Sequence, residues 1–298
     1  MIRAFTSCAL LLALLVQQSV IAAEAEAEWF FDVEVSGGYN DNAGRAERER
    51  DIVDDKTLLG GLGVAFNQEF STEKAITLRA FAEIEDFRNV SDLSRDTYGA
   101  QFIYRWQNAL GFSAPFYQFN TSVRINEYDV RQRDSIAFTS QLVVSKRVSD
   151  RVLVSSGFEY KREESDGIVF DQKQARLFIN ADYTPAAQWA LYGTYSFIHG
   201  DIWSTSQTAF CDGTPANDIF DLVSQSEALE PDQAFNNAYC GSWIAYRLNA
   251  NINTLVLGVN RGFGHRFSFD LSGTRIIVNA LANDYDATAI NASLLMRF

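Results

Sequence analysis

The residues with the most chemical potential in this sequence fall on alternating positions. In the run Ile76 to Glu85, Thr77, Arg79, Phe81, Glu83 and Glu85 share one side of an extended chain. Ile76, Leu78, Ala80, Ala82 and Ile84 occupy the other side. Arg105 opposes an aromatic face running from Tyr98 to Trp106, and Arg124 opposes Tyr117, Phe119, Val123 and Ile125. Arg176 shares a face with Gln174, Asn180 and Asp182, and Glu159 opposes Phe158 and Tyr160. If these polar faces line a closed lumen, Arg79, Arg105, Arg124 and Arg176 form a basic track that favours anions, since rings of Arg or Lys set pore selectivity. Glu83, Glu85, Glu159 and Asp182 offer the opposite outcome, a plug of salt bridges. Buried charges must be paired, and a narrow barrel fills its lumen with side chains. The sequence leaves both readings open.

Other chemistry is sparse. Of the two histidines, His265 falls in an expected turn and His199 at a strand end, two residues before Asp201. A His/Asp pair with a nearby Ser could in principle support hydrolysis at the rim. No G-x-G-x-x-G, Walker loop, H-E-x-x-H or Cys/His cluster occurs, so no catalytic residue, cofactor or metal site is assigned and an enzyme is not expected. The segment from Asp201 to Cys240 carries Asp201, Asp212, Asp218, Asp221, Glu227, Glu230 and Asp232 with no Lys or Arg. Its spacing matches no calcium loop. It is either a solvated acidic loop or a folded lid, with a short helix expected within Ile219–Leu229. A net charge of −13 excludes nucleic acid as a partner class, since phosphate contacts need Lys and Arg.

The elements that position these residues are strands. Hydrophobic content is 47 %, yet alternation disperses it, and no run after the N-terminus reaches the ~20 residues of a membrane helix. Twelve strands follow from the period-2 pattern, the first over Phe31 to Tyr39 and the last over Asp284 to Phe298. Strand nine is expected to end at His199 and strand ten to begin near Ala250, leaving a long acidic extracellular loop at about 200–249. Short turns near residues 70, 110, 148, 186 and 263 alternate with longer connections, the signature of up-and-down hairpins. Trp29, Trp106, Tyr117, Tyr183 and Trp189 fall at the short-turn ends, and Phe87, Tyr98, Tyr128, Tyr160 and Phe197 near the long loops. These are two candidate interfacial belts. The fold expected is therefore all-β, an antiparallel up-and-down transmembrane β-barrel of 12 strands over 26–298.

Both ends carry addresses. Arg3, the apolar run Ala9 to Val16 and the small residues at Ala22, Ala23, Ala25 and Ala27 make a signal peptide over 1–25, cleaved between 22 and 27. Removal of Cys8 leaves Cys211 and Cys240, which read as a disulfide in an oxidising compartment. At the other end Phe298, Met296, Leu294, Ala292 and Ile290 alternate with Arg297, Ser293 and Asn291. This ending resembles the terminal signal strand of bacterial outer-membrane proteins, and the whole chain generally resembles porin-like barrels of proteobacteria. The resemblance implies location in the outer membrane of a Gram-negative cell. It implies contact with outer-membrane lipid and lipopolysaccharide, and delivery by the barrel-assembly machinery through Phe298, Met296 and Leu294. The function it implies is passive passage of small polar or anionic solutes. A plugged barrel that binds an envelope partner or polymer through its acidic loops is the alternative, and an interfacial hydrolase a remote third.

Overall fold

A computed structural model describes residues 27–298 apart from 110 and 282. The expected signal peptide lies outside the described residues. Alternation does build strands. The chain runs β1 (Ala27–Asn40), β2 (Asp55–Ser71), β3 (Lys74–Phe87), β4 (Arg95–Gln107), β5 (Phe116–Tyr128), β6 (Ser135–Ser149), β7 (Val152–Ser165), β8 (Gln172–Ala186) and β9 (Trp189–Ala209). It continues through helix α1 (Phe220–Gln225), the short strand β10 (Ala228–Pro231) and helix α2 (Gln233–Ala238) to β11 (Ser242–Phe263), β12 (Phe267–Ala280) and β13 (Tyr285–Arg297).

Twelve of these strands close on themselves. Each pairs antiparallel with its sequence neighbour, β9 pairs with β11 across the crossing, and β13 pairs with β1. The closing seam registers Val33 with Met296, Val35 with Leu294 and Tyr39 with Ile290. Phe31 and Phe298 exchange backbone hydrogen bonds of 3.0 and 2.8 Å, so the last residue completes the ladder. Closure leaves no strand edge in the apolar region, where an unpaired amide would cost several kcal/mol. The thirteenth strand, β10, adds only to the outer part of β11.

The exterior is apolar. Leu62, Leu78, Ile84, Leu142, Leu177, Ile179, Leu257 and Ile290 are exposed on outward faces. In water such a belt would forfeit roughly 25 cal/mol per Å², so this surface belongs in lipid. Among the described residues no helix is long and apolar enough to cross a membrane, and the crossing is made by strands. Trp29, Tyr183 and Trp189 are exposed at the short-turn end, and Tyr98, Tyr160 and Phe197 at the other. Phe87 and Tyr128 do not join the outer belt. Phe87 shares the parity of Phe81, Glu83 and Glu85, and Tyr128 that of Arg124, so both face the lumen.

Among the described residues, the clusters of buried apolar side chains do not lie mid-barrel. They gather in three clusters at the long-loop end, around Leu222 and Tyr246, Phe235 and Trp243, and Val169 and Phe170. This end departs most from the expected layout. β9 and β11 run ten and eight residues further than expected, to Ala209 and from Ser242, still paired to each other. Alternation is lost in this extension for a physical reason. Ile202, Ser204, Thr205, Tyr246 and Leu248 are all buried, because both faces of this extension are covered.

Candidate functional site

The wall of the lumen is polar, and several of its charges are partnered across neighbouring strands. Arg79 donates to Asp32 at 2.8 Å, bridging from β3 to β1. The strand between them carries Gly63, and a Cβ there would fall 2.1 Å from the Asp32 carboxylate. Glycine is what lets the bridge lie flat against the wall. Phe81 is seated the same way over Gly99, whose Cβ would meet the ring at 2.2 Å. The guanidiniums of Arg79 and Arg124 lie 4.9 and 5.3 Å from the Phe81 ring.

On the opposite wall the partners form a chain. Gln118 donates to Asn120 at 2.8 Å, Asn120 to Gln141 at 2.7 Å, and Gln141 to Glu159 at 2.9 Å. Glu159 lies 3.7 Å from Arg176, which donates to Ser196 at 3.0 Å. Of the ionisable residues singled out in the sequence, Arg176 and Glu159 are thus brought together. Glu85 pairs instead with Arg95 at 2.7 Å, and Arg105 with Glu69 at 3.7 Å near the short-turn end. Asp182 accepts from Asn180 at 2.7 Å. Glu83 stands in register with Gly61, which is flanked on its other side by Glu34.

Above this wall lies a cavity of about 570 Å³. Gln101, Asn120, Arg124, Gln141 and Glu159 line its lower part, and Arg45, Arg133, Phe170 and Trp203 its upper part. That upper boundary is a roof made by the β9–β11 crossing. The crossing bonds to each of the five other long connections. Thr205 donates its amide to Gly44 at 2.9 Å, and Asn237 donates to Asp92 at 2.6 Å. Gln132 donates to Glu230 at 2.8 Å, and so does the Ile168 amide at 3.2 Å. Asn283 donates to Ser204 at 2.7 Å. The acidic segment is therefore a folded lid, and two of its carboxylates, Asp218 and Asp232, pair with arginines of other loops.

Three ion pairs on two carboxylates, Asp232 and Asp218, hold the lid. Arg133 meets Asp232 at 2.8 Å with both side chains almost fully buried. The Arg133 guanidinium lies 4.1 Å from the Phe170 ring and 4.4 Å from Trp203, and Arg45 lies 4.2 Å from the Trp203 ring. Asp232 also caps α2 and accepts from Thr205 at 2.8 Å. At the rim, Arg50 and Arg48 donate to Asp218 at 2.6 and 2.9 Å. They hold its carboxyl well below the usual carboxylate range, Arg50 most of all. The Cys211–Cys240 disulfide closes the base of the lid. The expected helix within Ile219–Leu229 forms only over Phe220–Gln225, because Ala228–Pro231 pairs with β11 as β10.

The rim His/Asp pair does not form. His199 Nδ1 contacts Asn251 at 3.0 Å, and the Asp201 carboxylate accepts from the Lys173 amide at 3.0 Å. The sequence reading missed Asp32 and Arg95, whose positions on inward faces were visible from alternation. It also missed Arg45, Arg133 and Trp203, which lie in loop or extension segments where period 2 gives no guide.

No family model matches the chain, and no curated protein matches it. Among solved structures, it is similar to an outer membrane channel from Pseudomonas putida, with a TM-score of 0.57 and 11 % identity over 95 % of this chain and 98 % of that one. The chain folds as a bacterial outer-membrane β-barrel. Looser likenesses to this barrel are the NanC porin (TM-score 0.46, 8 % identity, 89 % of this chain and 98 % of that one) and the KdgM porin (0.41, 8 %, 90 % and 99 %). At such identities the outer-membrane barrel shares with these structures its fold alone. Its apolar belt and closed ladder place it in the outer membrane.

Proposed function

We propose that the barrel is a passive channel for small polar or anionic solutes, narrowed at its outer mouth by the lid. The observation that carries this reading is the 570 Å³ polar cavity inside a closed barrel, bounded by wall residues such as Arg124, Gln141 and Glu159. Arg79, Arg105, Arg124 and Arg176 supply the positive side of the track, and Glu83, Glu85, Glu159 and Asp182 moderate it. Lipid and lipopolysaccharide meet the aromatic belts, and the barrel-assembly machinery takes the Phe298 strand. Purified protein in a planar bilayer is expected to give discrete current steps with a preference for anions. Arg79→Ala combined with Arg105→Ala is expected to reduce that preference. Absence of steps in the intact protein sinks the channel reading.

The buried Arg133–Asp232 pair favours a second reading, a barrel kept shut by its lid that serves as a surface-interaction module. That reading is supported if removal of the lid abolishes binding of an envelope component and opens no current.

A further inference from the structure

The charges of the chamber under the lid do not cancel. Arg95 is claimed by Glu85 at 2.7 Å, Lys161 by Glu163 at 2.6 Å and Arg133 by Asp232 at 2.8 Å. The remaining carboxylate, Glu159, lies beside Arg176 at 3.7 Å. Two lining guanidiniums, Arg124 and Arg45, are left with ring contacts only, to Phe81 and Trp203. Arginine stays protonated and presents a fork that matches an oxyanion.

The surroundings of Arg124 form a recess. Its cross-strand partners are Gly99 on one side and Ala137 on the other, so neither neighbour competes for its fork. One inward rung away, Gln101, Ser122 and Thr139 stand directly opposite one another on β4, β5 and β6. All three line the chamber, and none of their side chains bonds to another group of the protein. Inward rungs are spaced by two residues, about 7 Å. A guanidinium and a row of open amide and hydroxyl groups at that spacing match a molecule bearing an anionic group at one end and hydroxyls along its length.

Arg45 is held over the chamber by a built turn. Asn42 accepts from the Ala46 amide and donates to the Ala46 carbonyl, both at 2.8 Å. Arg45 has φ 57°, alone in that region among the described non-glycine residues. Left-handed backbone is disfavoured for a non-glycine residue and persists where its surroundings enforce it.

We propose that the chamber is a binding site for one small polyhydroxylated organic anion, with Arg124 as principal anion ligand, Arg45 as a second, and Gln101, Ser122 and Thr139 reading its hydroxyls. The proposal rests on the channel reading only for how the ligand enters. Calorimetric titration of the folded protein in detergent uses gluconate, glucose and inorganic phosphate as probes. Gluconate is expected to bind at least tenfold more tightly than glucose. Arg124→Gln should weaken gluconate about tenfold or more, and Arg124→Lys by less. Gln101→Ala with Ser122→Ala should weaken gluconate while leaving phosphate unchanged. Equal binding of gluconate and glucose, phosphate binding without gluconate binding, or unchanged gluconate affinity in a heat-modifiable Arg124→Gln barrel each overturns the site. Current steps without gluconate binding also overturn the site and leave the channel standing. Gluconate binding without current steps keeps the site and removes passage.

Discussion

At the scale of the residue, Arg133 ties the lid to a neighbouring loop through a buried ion pair. Its guanidinium is buried between Phe170 and Trp203 and bonded to Asp232. Removing one member of a buried pair leaves the other uncompensated, at a cost of about 3–5 kcal/mol, whereas replacing both by apolar groups is often near neutral. Arg133→Ala is expected to loosen the lid while the ladder of the barrel stays closed. Hydrogen exchange should quicken at 230–240 and remain slow in β1 to β8. Arg133→Met with Asp232→Asn, which removes both charges and keeps an acceptor for α2 and Thr205, should restore part of the protection. Equal exchange in Arg133→Ala and the parent would mean that the pair does not hold the lid.

At the scale of the element, most of the staves were legible because a half-buried strand writes itself as period 2. The wall residues Arg79, Arg124 and Glu159 could be assigned an inward side from alternation alone. Their partners could not, because partnership depends on register: Asp32 stands opposite Gly63 and Gly63 opposite Phe81, which puts Asp32 one diagonal rung from Arg79. The choice between a lid and a solvated loop was illegible for a different reason. Where β9 and β11 pass beyond the barrel, both faces are covered and the alternation that marks a strand disappears. The disulfide was legible from parity of cysteines, and it belongs to this element. Closing a loop with a sequence separation of 29 stabilises by about 3–4 kcal/mol in the chain-entropy account. Replacement of Cys211 and Cys240 by Ser should leave a heat-modifiable barrel whose 210–241 segment is cut by added protease. Resistance equal to the parent would show that the lid's ion pairs suffice without the bridge.

At the scale of the whole molecule, two halves of the chain's chemistry are separated along one axis. The membrane-spanning part has its apolar groups outside and its polar groups inside. The outer end gathers the buried apolar clusters and the deeply buried ion pair into a lid that touches every neighbouring loop. Polar ladders such as Gln118–Asn120–Gln141–Glu159 stiffen the wall without crossing the lumen. A barrel built this way should conduct weakly when the lid is seated and freely when it is gone. The direct measurement is single-channel current through the intact protein and through a variant in which residues 210–241 are replaced by a short Gly/Ser turn joining β9 to β11. The account predicts small steps in the intact barrel and several-fold larger ones in the lidless variant. A lidless barrel that is folded and passes no current would contradict it.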